Sequence, residues 1–233
     1  MLKSCALLLS LCLIEAVMAA QAGERPIVVE LFTSEGCSSC PPADALLAEL
    51  ADRPDVLALS FHVDYWDRLG WKDPYSSREA TGRQNHYAAL LDLATVYTPQ
   101  IVVDGKWQAV GSDRADVEHE LSLAARNRRE VPVTLVLDHG QAHIKLGPGG
   151  DAASAAVLLI GFDLRHVTAV KRGENGGRTL VHVDVVRGIE EMARSGGGEI
   201  EAPIPWHSDR IAAVVQAADG RILGVAVQDA ERL

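Results

Sequence analysis

Cys37 and Cys40 bracket two serines, and this Cys-Ser-Ser-Cys loop has the clearest chemistry in the chain. The spacing lets the two sulfurs bond if the loop closes into the start of a helix. A thiolate there faces unpaired backbone N–H groups and the positive end of the helix dipole, which lowers its pKa and makes it a nucleophile near neutral pH. Cys37 is expected to be the exposed attacker. Cys40, one turn in, is expected to be the shielded resolving thiol that frees a partner from a mixed disulfide. Two other uses stay open. A structural disulfide is common in exported proteins, although a bridge over so short a loop removes little chain entropy. A soft-metal site, copper for example, needs more ligands than two thiolates, and His62 is the residue that could approach in space. The exchange reading requires an accessible sulfur on Cys37 with Pro99 beside it. A fold that buries both sulfurs, or carries Pro99 to a distant surface, would end it.

The elements that must position this loop follow from hydrophobic periodicity. Ile27 to Phe32 is a continuous apolar run broken only by Glu30, and the loop Thr33 to Cys40 follows it. Ala43, Leu46, Leu47 and Leu50 then recur at helical spacing. Pro41-Pro42 suggests that this helix begins late, because proline lacks the N–H donor needed beyond the first turn. Val56 to Val63 is apolar on both alternating faces, as a buried parallel strand should be. Asp64 to Tyr75 is a loop rich in aromatics. Ser76 with Glu79 resembles a capping box and opens a helix running to about Ala94. Gln100 to Val103 and Lys106 to Val110 read as strands joined by the hairpin signal Asp104-Gly105, and Gly111-Ser112-Asp113 caps a last helix. A βαβ crossover makes the first two strands parallel, so the Cys loop and the Asp64–Tyr75 loop emerge at one sheet edge. If the strand after Pro99 runs antiparallel, its start lies on that edge too.

From about Val131 the texture changes to alternation. Val133, Leu135 and Leu137 form one such series and Thr179, Val181, Val183 and Val185 another. Turn signals separate the runs: Pro148-Gly149-Gly150, Asn175-Gly176, Gly196-Gly197-Gly198 and Asp219-Gly220. This pattern predicts an all-β, sandwich-like unit of six or seven strands over 131–233, with a boundary at Arg126 to Glu130.

Composition narrows the partners. The chain has 233 residues and a net charge of -10, so counterion release cannot drive nucleic-acid binding. Residues 1–22 read as a secretory signal, with Lys3 as its basic start, Ala6 to Ile14 as its apolar run and Ala20-Gln21-Ala22 as its cleavage site, with Val17-Met18-Ala19 as a rival. Cys5 and Cys12 leave with it, so the mature chain keeps only the Cys37/Cys40 pair. The expected location is periplasmic or secreted, without stable membrane insertion after cleavage.

Two separated motifs carry a family resemblance. Val28-Val29-Glu30-Leu31-Phe32 followed by Cys37-Ser38-Ser39-Cys40 is similar to the first core strand and active-site loop of the thioredoxin superfamily. Tyr97-Thr98-Pro99, with the following hairpin and Gly111, is similar to its cis-proline loop. Finer wording, Glu-Leu-Phe-Thr-Ser-Glu-Gly-Cys-Ser-Ser-Cys-Pro-Pro and Phe-His-Val-Asp-Tyr-Trp-Asp, resembles the DUF1223 family of exported thioredoxin-like proteins. The resemblance implies an α/β thioredoxin-like domain over 23–130 ahead of the β-unit. It also implies a thiol–disulfide oxidoreductase without organic cofactor or metal, acting on thiol- or disulfide-bearing proteins or small molecules. Cys37 and Cys40 would do the exchange, Thr98 and a cis Pro99 would dock the partner, and Glu30 would correspond to the buried proton-shuttling acid. The sequence departs from the thioredoxin pattern in its Ser-Ser dipeptide and in one extra residue between Glu30 and Cys37, and one residue of slip reverses the face of a strand. His62 reads first as a hydrogen-bonded core histidine, Asp64 and Asp67 as loop caps, and Tyr65, Trp66, Trp71 and Tyr75 as packing. Glu35 reads as solvated, and Trp206 and His207 as structural.

Overall fold

The computed structural model describes residues 25–128, 131–149, 155–194 and 198–230. The expected signal segment, Gly150, Gly196 and Gly197 lie outside the described residues. Strand β1 (Ile27–Thr33) is buried along its whole length. Helix α1 (Pro41–Ala51) starts directly after Cys40, earlier than Pro41-Pro42 suggested. Both prolines sit in the first turn, where their missing N–H groups would have had no intrahelical acceptor. Ala43, Leu46, Leu47 and Leu50 form the buried face of α1 at the expected spacing. Strand β2 (Val56–His62) runs parallel to β1, from Ile27 beside Val56 to Thr33 beside His62.

A 3-10 turn, Asp67–Leu69, sits within the aromatic loop. Helix α2 (Arg78–Leu90) is capped by Ser77, which accepts from the backbone N–H of Ala80. The expected cap, Ser76, instead donates to Asp67 and to the carbonyl of Asp73. Strands β3 (Gln100–Val103) and β4 (Trp107–Val110) form the hairpin foreseen at Asp104-Gly105, and β3 runs antiparallel to β1. Helix α3 (Arg114–Arg126) begins at Asp113, whose carboxylate accepts from the N–H groups of Ala115 and Asp116.

Seven further strands follow: β5 (Val133–Asp138), β6 (Gln141–Leu146), β7 (Ala156–Ala169), β8 (Thr179–Arg194), β9 (Gly198–Pro203), β10 (Arg210–Gln216) and β11 (Ile222–Asp229). Their arrangement corrects the expected fold class of an α/β thioredoxin-like domain followed by an all-β sandwich-like one. The molecule is mostly β, built on one mixed eight-stranded sheet of order β11-β10-β7-β8-β2-β1-β3-β4, with β5-β6-β9 as a second, small sheet. The cause lies at the outer edge of β2. An unpaired edge leaves backbone donors and acceptors unsatisfied, and β8 joins that edge in parallel, with Ser60 beside Val185. It brings β7, β10 and β11 into the same sheet.

The core follows the sheet across the chain. On one face, Val28, Phe32, Leu59 and Phe61 pack with Tyr87 of α2 and with Ile160, Phe162 and Val214. On the other, Val29 and Leu31 pack under α1 and α3. The small sheet packs Leu135, Ala142 and Ile144 against Val157, Leu159 and Ile211.

Candidate functional site

The Cys loop sits where β1 hands over to α1. Cys37 and Cys40 form a disulfide with their Cα atoms 5.4 Å apart. Cys40 is the N-cap of α1, and its carbonyl accepts from the N–H groups of Ala43 and Asp44. The parts expected at this edge do converge. An added Cβ on Gly36 would come within 3.0 Å of Trp66. The Trp66 indole donates to the hydroxyl of Thr98 at 2.8 Å. The Thr98–Pro99 peptide is cis. Gly111 fits between Pro99 and Ala43 of α1, since a Cβ there would come within 3.3 Å of Pro99 and 3.1 Å of Ala43.

Exposure overturns one expectation. Cys37 and Cys40 are both 0 % exposed, whereas Cys37 was expected to open to solvent; only Ser38 and Ser39 of the loop are exposed. The tip of the β7–β8 hairpin, Lys171–Arg178, lies against the loop. Asn175 donates to the carbonyls of Glu35 (2.9 Å) and Cys37 (2.8 Å), and the N–H of Ser38 donates to Glu174 at 3.1 Å. Gly173 approaches Trp71 so closely that an added Cβ would come within 3.0 Å. A tip that must touch backbone in this way favours small residues with freedom at positive φ, and Gly173 adopts φ +76°.

Glu30 is not beneath the disulfide. Strand alternation puts it on the face of Val28 and Phe32, toward α2, while α1 covers the face of Val29 and Leu31. There Glu30 pairs with Arg83 and accepts from Tyr87. The extra residue before Cys37 thus reverses the face, and the shuttling role implied by the resemblance has no geometric support.

A different set of ionisable groups gathers behind the loop. Asp44, one turn into α1 from Cys40, accepts from the hydroxyl of Thr33 at 2.8 Å. His182 of β8 places Nδ1 3.8 Å from Asp44 and Nε2 3.2 Å from Glu35. The second oxygen of Glu35 accepts from Trp71 at 2.7 Å. His62 at the end of β2 pairs with Asp73 at 2.7 Å, and its ring meets that of His182 edge-on at 4.7 Å. Asp73 also accepts from the N–H groups of Glu35 and Tyr75. All five ionisable side chains are buried. Glu35 is therefore not the solvated residue its sequence position suggested. His62 is a hydrogen-bonded core histidine, as expected.

Burial sets the electrostatics. It pushes the Asp44 carboxyl up, and His182, His62 and the Thr33 hydroxyl only partly offset it. Burial also works against a charged His62, but the carboxylates of Asp73, Asp44 and Glu35 outweigh it and hold that imidazole above its ordinary range. Asp73 resists the same burial through His62 and two backbone N–H donors and is held low. His62 Nε2 and His182 Nδ1 are buried without a hydrogen-bond partner. Among the described residues, no group of three or more His, Cys, Asp or Glu side chains is arranged to hold a metal ion. Trp206 packs over Gly188, where an added Cβ would come within 2.0 Å of the indole nitrogen.

Sequence reading missed Asp44, Asp73, His182 and Asn175. Asp44 alone left a local signal, as a carboxylate beside the apolar helix face one turn after Cys40. The others arrive from loops and strands distant in sequence.

Comparison with known proteins agrees with this architecture. A family model described as a protein of unknown function, DUF1223, matches residues 28–221. A crystal structure of a protein from Agrobacterium tumefaciens is similar at 30% identity and a TM-score of 0.78, covering 91% of this chain and 98% of that one. The structure of HBP35 of Porphyromonas gingivalis is similar in fold at 14% identity and a TM-score of 0.61, covering 90% of this chain and 76% of that one. No curated protein matches the chain.

Proposed function

We propose, from the premise that the chain belongs to the DUF1223 family, that it is an exported thiol–disulfide oxidoreductase whose Cys37–Cys40 couple is held closed under a removable cover. The observation that carries this reading is the closed disulfide at the start of α1, with Trp66, Thr98 and Pro99 converging beside it. We read the kinship with the thioredoxin superfamily as one of this site and not of the whole architecture. The partner is a protein or small molecule bearing a thiol or disulfide, docking along Thr98-Pro99. Location in the periplasm or outside the cell is part of the proposal and rests on residues 1–22.

The covered sulfurs demand a step that an open site would not need. The Lys171–Arg178 tip lifts, a partner thiolate attacks Cys37, and the Cys37–Cys40 bond breaks with Cys40 as leaving thiolate. In the reverse direction Cys40 attacks the mixed disulfide and the partner leaves. The tip is suited to lifting because its residues other than Asn175 are exposed.

Burial of both sulfurs favours a second reading, a disulfide that never opens in the folded protein. One experiment separates the two. Cys40→Ser, incubated with glutathione disulfide or a disulfide-bearing peptide, is expected to accumulate adducts on Cys37 that mass spectrometry detects. No adducts in the folded variant, and no reduction of the native disulfide by dithiothreitol without denaturant, would establish the structural reading instead.

A further inference from the structure

Acids and bases are treated differently around the covered disulfide. The acids are engaged by the fold. Asp73 pairs with His62, Glu35 accepts from Trp71, and Asp67 accepts from Ser76 and from the N–H of Asp73. The bases form a rim. Arg68 and Lys72 flank the segment Leu69 to Trp71, against which Gly173 of the cover packs, and the cover itself carries Lys171, Arg172 and Arg178. All five cations are exposed. Arg178 donates to the side-chain oxygen of Asn175 at 2.9 Å, and among the described residues none of the five is paired with a carboxylate. Such a rim stands out in a chain whose net charge is -10.

One acid is used in another way. Glu174 sits at the exposed tip of the cover, and its carboxylate accepts from the N–H of Ser38, the residue after Cys37, at 3.1 Å. Pro41 and Pro42 remove two of the N–H groups that the start of α1 would otherwise offer an anion. The N–H of Ser38 is a donor that the loop still presents, and a carboxylate of the cover fills it. A carboxylate seated beside the reactive sulfur, on a strap that also carries three cations, has the form of a placeholder for a second carboxylate.

We propose that the site selects thiols and disulfides carrying a carboxylate close to the sulfur, and that Glu174 holds the place of that carboxylate while the cover is closed. The proposal rests on the exchange reading above and names its substrate class. An incoming carboxylate competes with Glu174 for the N–H of Ser38, and the cations of the rim pair with it as the tip lifts. A neutral partner cannot replace the bond that the cover gives up, and a cationic one meets five like charges. The sulfur chemistry is unchanged. The partner's thiolate sulfur bonds to Cys37, and the Cys37–Cys40 bond breaks with its electron pair on Cys40. A second thiolate takes the partner's sulfur from the mixed disulfide and leaves Cys37 as a thiolate. The two protein sulfurs are thereby reduced and two partner molecules are oxidised to one disulfide.

The test reduces the native disulfide of the folded protein with three small thiols of similar size in excess: 3-mercaptopropionate, 2-mercaptoethanol and 2-mercaptoethylamine. Freed Cys37 and Cys40 are alkylated and counted by mass spectrometry. Each rate is divided by the rate of the same thiol with the neutral bis(2-hydroxyethyl) disulfide, which removes differences in thiolate fraction and nucleophilicity. All three attack as thiolates, so the ratio reports the second charge alone. At low ionic strength 3-mercaptopropionate is expected to lead 2-mercaptoethanol by about tenfold, the low end of electrostatic steering, with 2-mercaptoethylamine slowest. The lead should vanish in 1 M salt, where the reach of a charge shrinks to about 3 Å. Lys171→Gln with Arg172→Gln should bring the ratio close to one. Glu174→Gln should let 2-mercaptoethanol react severalfold faster, since an amide holds the Ser38 N–H less firmly than a carboxylate does. Equal ratios for the three thiols in the wild-type protein, or a lead that ignores salt, would overturn the anion preference and leave the exchange reading standing. A lead that survives the double substitution would take the selection away from the cover. An unchanged rate in Glu174→Gln would strip Glu174 of its place-holding role. No reduction by any of the three thiols would remove the exchange reading itself.

Discussion

Glu30 and Asp44 are both buried carboxylates, but only Glu30 has a full cation against it. Arg83 grips Glu30 in a fork, Tyr87 donates to it, and Gln216 of β10 donates to Tyr87 at 2.9 Å. Burial works against a charged Arg83, yet Glu30 and Tyr87 outweigh it and drive the guanidinium pKa up, so the guanidinium stays charged. Its task is to fix α2 against the sheet. Glu30→Gln keeps the shape and leaves Arg83 charged without a counter-ion. Breaking a buried pair in this way costs about 3–5 kcal/mol, readable in a urea unfolding curve. Exchange per folded molecule is expected to stay at the wild-type rate. A Glu30→Gln protein whose exchange slows markedly per folded molecule would show that Glu30 does more than hold α2 against the sheet. The residue types of both acids were legible in the sequence. The side of the sheet that each serves was not, because a single residue between Glu30 and Cys37 decides the parity.

At the scale of elements, the cover is the informative case. Asn175-Gly176 was readable as a turn, and it is the tip of the β7–β8 hairpin. Nothing local says that this tip reaches a loop 138 residues earlier in the chain. That reach depends on β8 pairing with β2, a register no periodicity encodes. The hydrogen bonds of Asn175 to Glu35 and Cys37 are worth roughly 1 kcal/mol each, so Asn175→Ala should weaken closure by about 2 kcal/mol. Every 1.4 kcal/mol is about tenfold in population, which makes the open form roughly thirtyfold more frequent. The native disulfide of Asn175→Ala is therefore expected to react with dithiothreitol faster by about that factor, with the melting temperature lowered by no more than about 4–8 °C. An unaltered reduction rate would mean that something other than this tip shields the sulfurs. The helices were easier to read. The α1 face and the Asp113 cap follow from local spacing and capping chemistry, and the misplaced cap at Ser76 missed by one residue because Ser76 and Ser77 compete for the same role.

For the whole molecule, the change of texture near Val131 marks the end of α3 but not the end of the sheet. Alternation identifies strands; it does not say whether they close a sheet of their own or extend another. Here they extend it. Arg25 pairs with Asp104 at 2.9 Å and donates to the carbonyl of Ile222 at 2.8 Å, and the Ile222 N–H donates back to the Asp104 carbonyl at 3.0 Å. Leu158, Ile160, Phe162, Ala212 and Val214 share one buried cluster with Val28, Phe32 and Phe61. Burial of a large apolar side chain contributes about 1.5–3 kcal/mol. Losing even half of those contacts approaches the roughly 5–15 kcal/mol that stabilises a whole domain. The protein is therefore expected to unfold in one cooperative transition, with near- and far-ultraviolet circular dichroism superimposing. Residues 23–130 expressed alone should lack fixed tertiary structure even with the disulfide intact, since the outer edge of β2 and the Phe61 face would both meet water. Two separate transitions in the full protein, or a 23–130 fragment with native-like near-ultraviolet circular dichroism and a sharp melt, would show that the first half stands by itself and that the shared sheet is incidental to its stability.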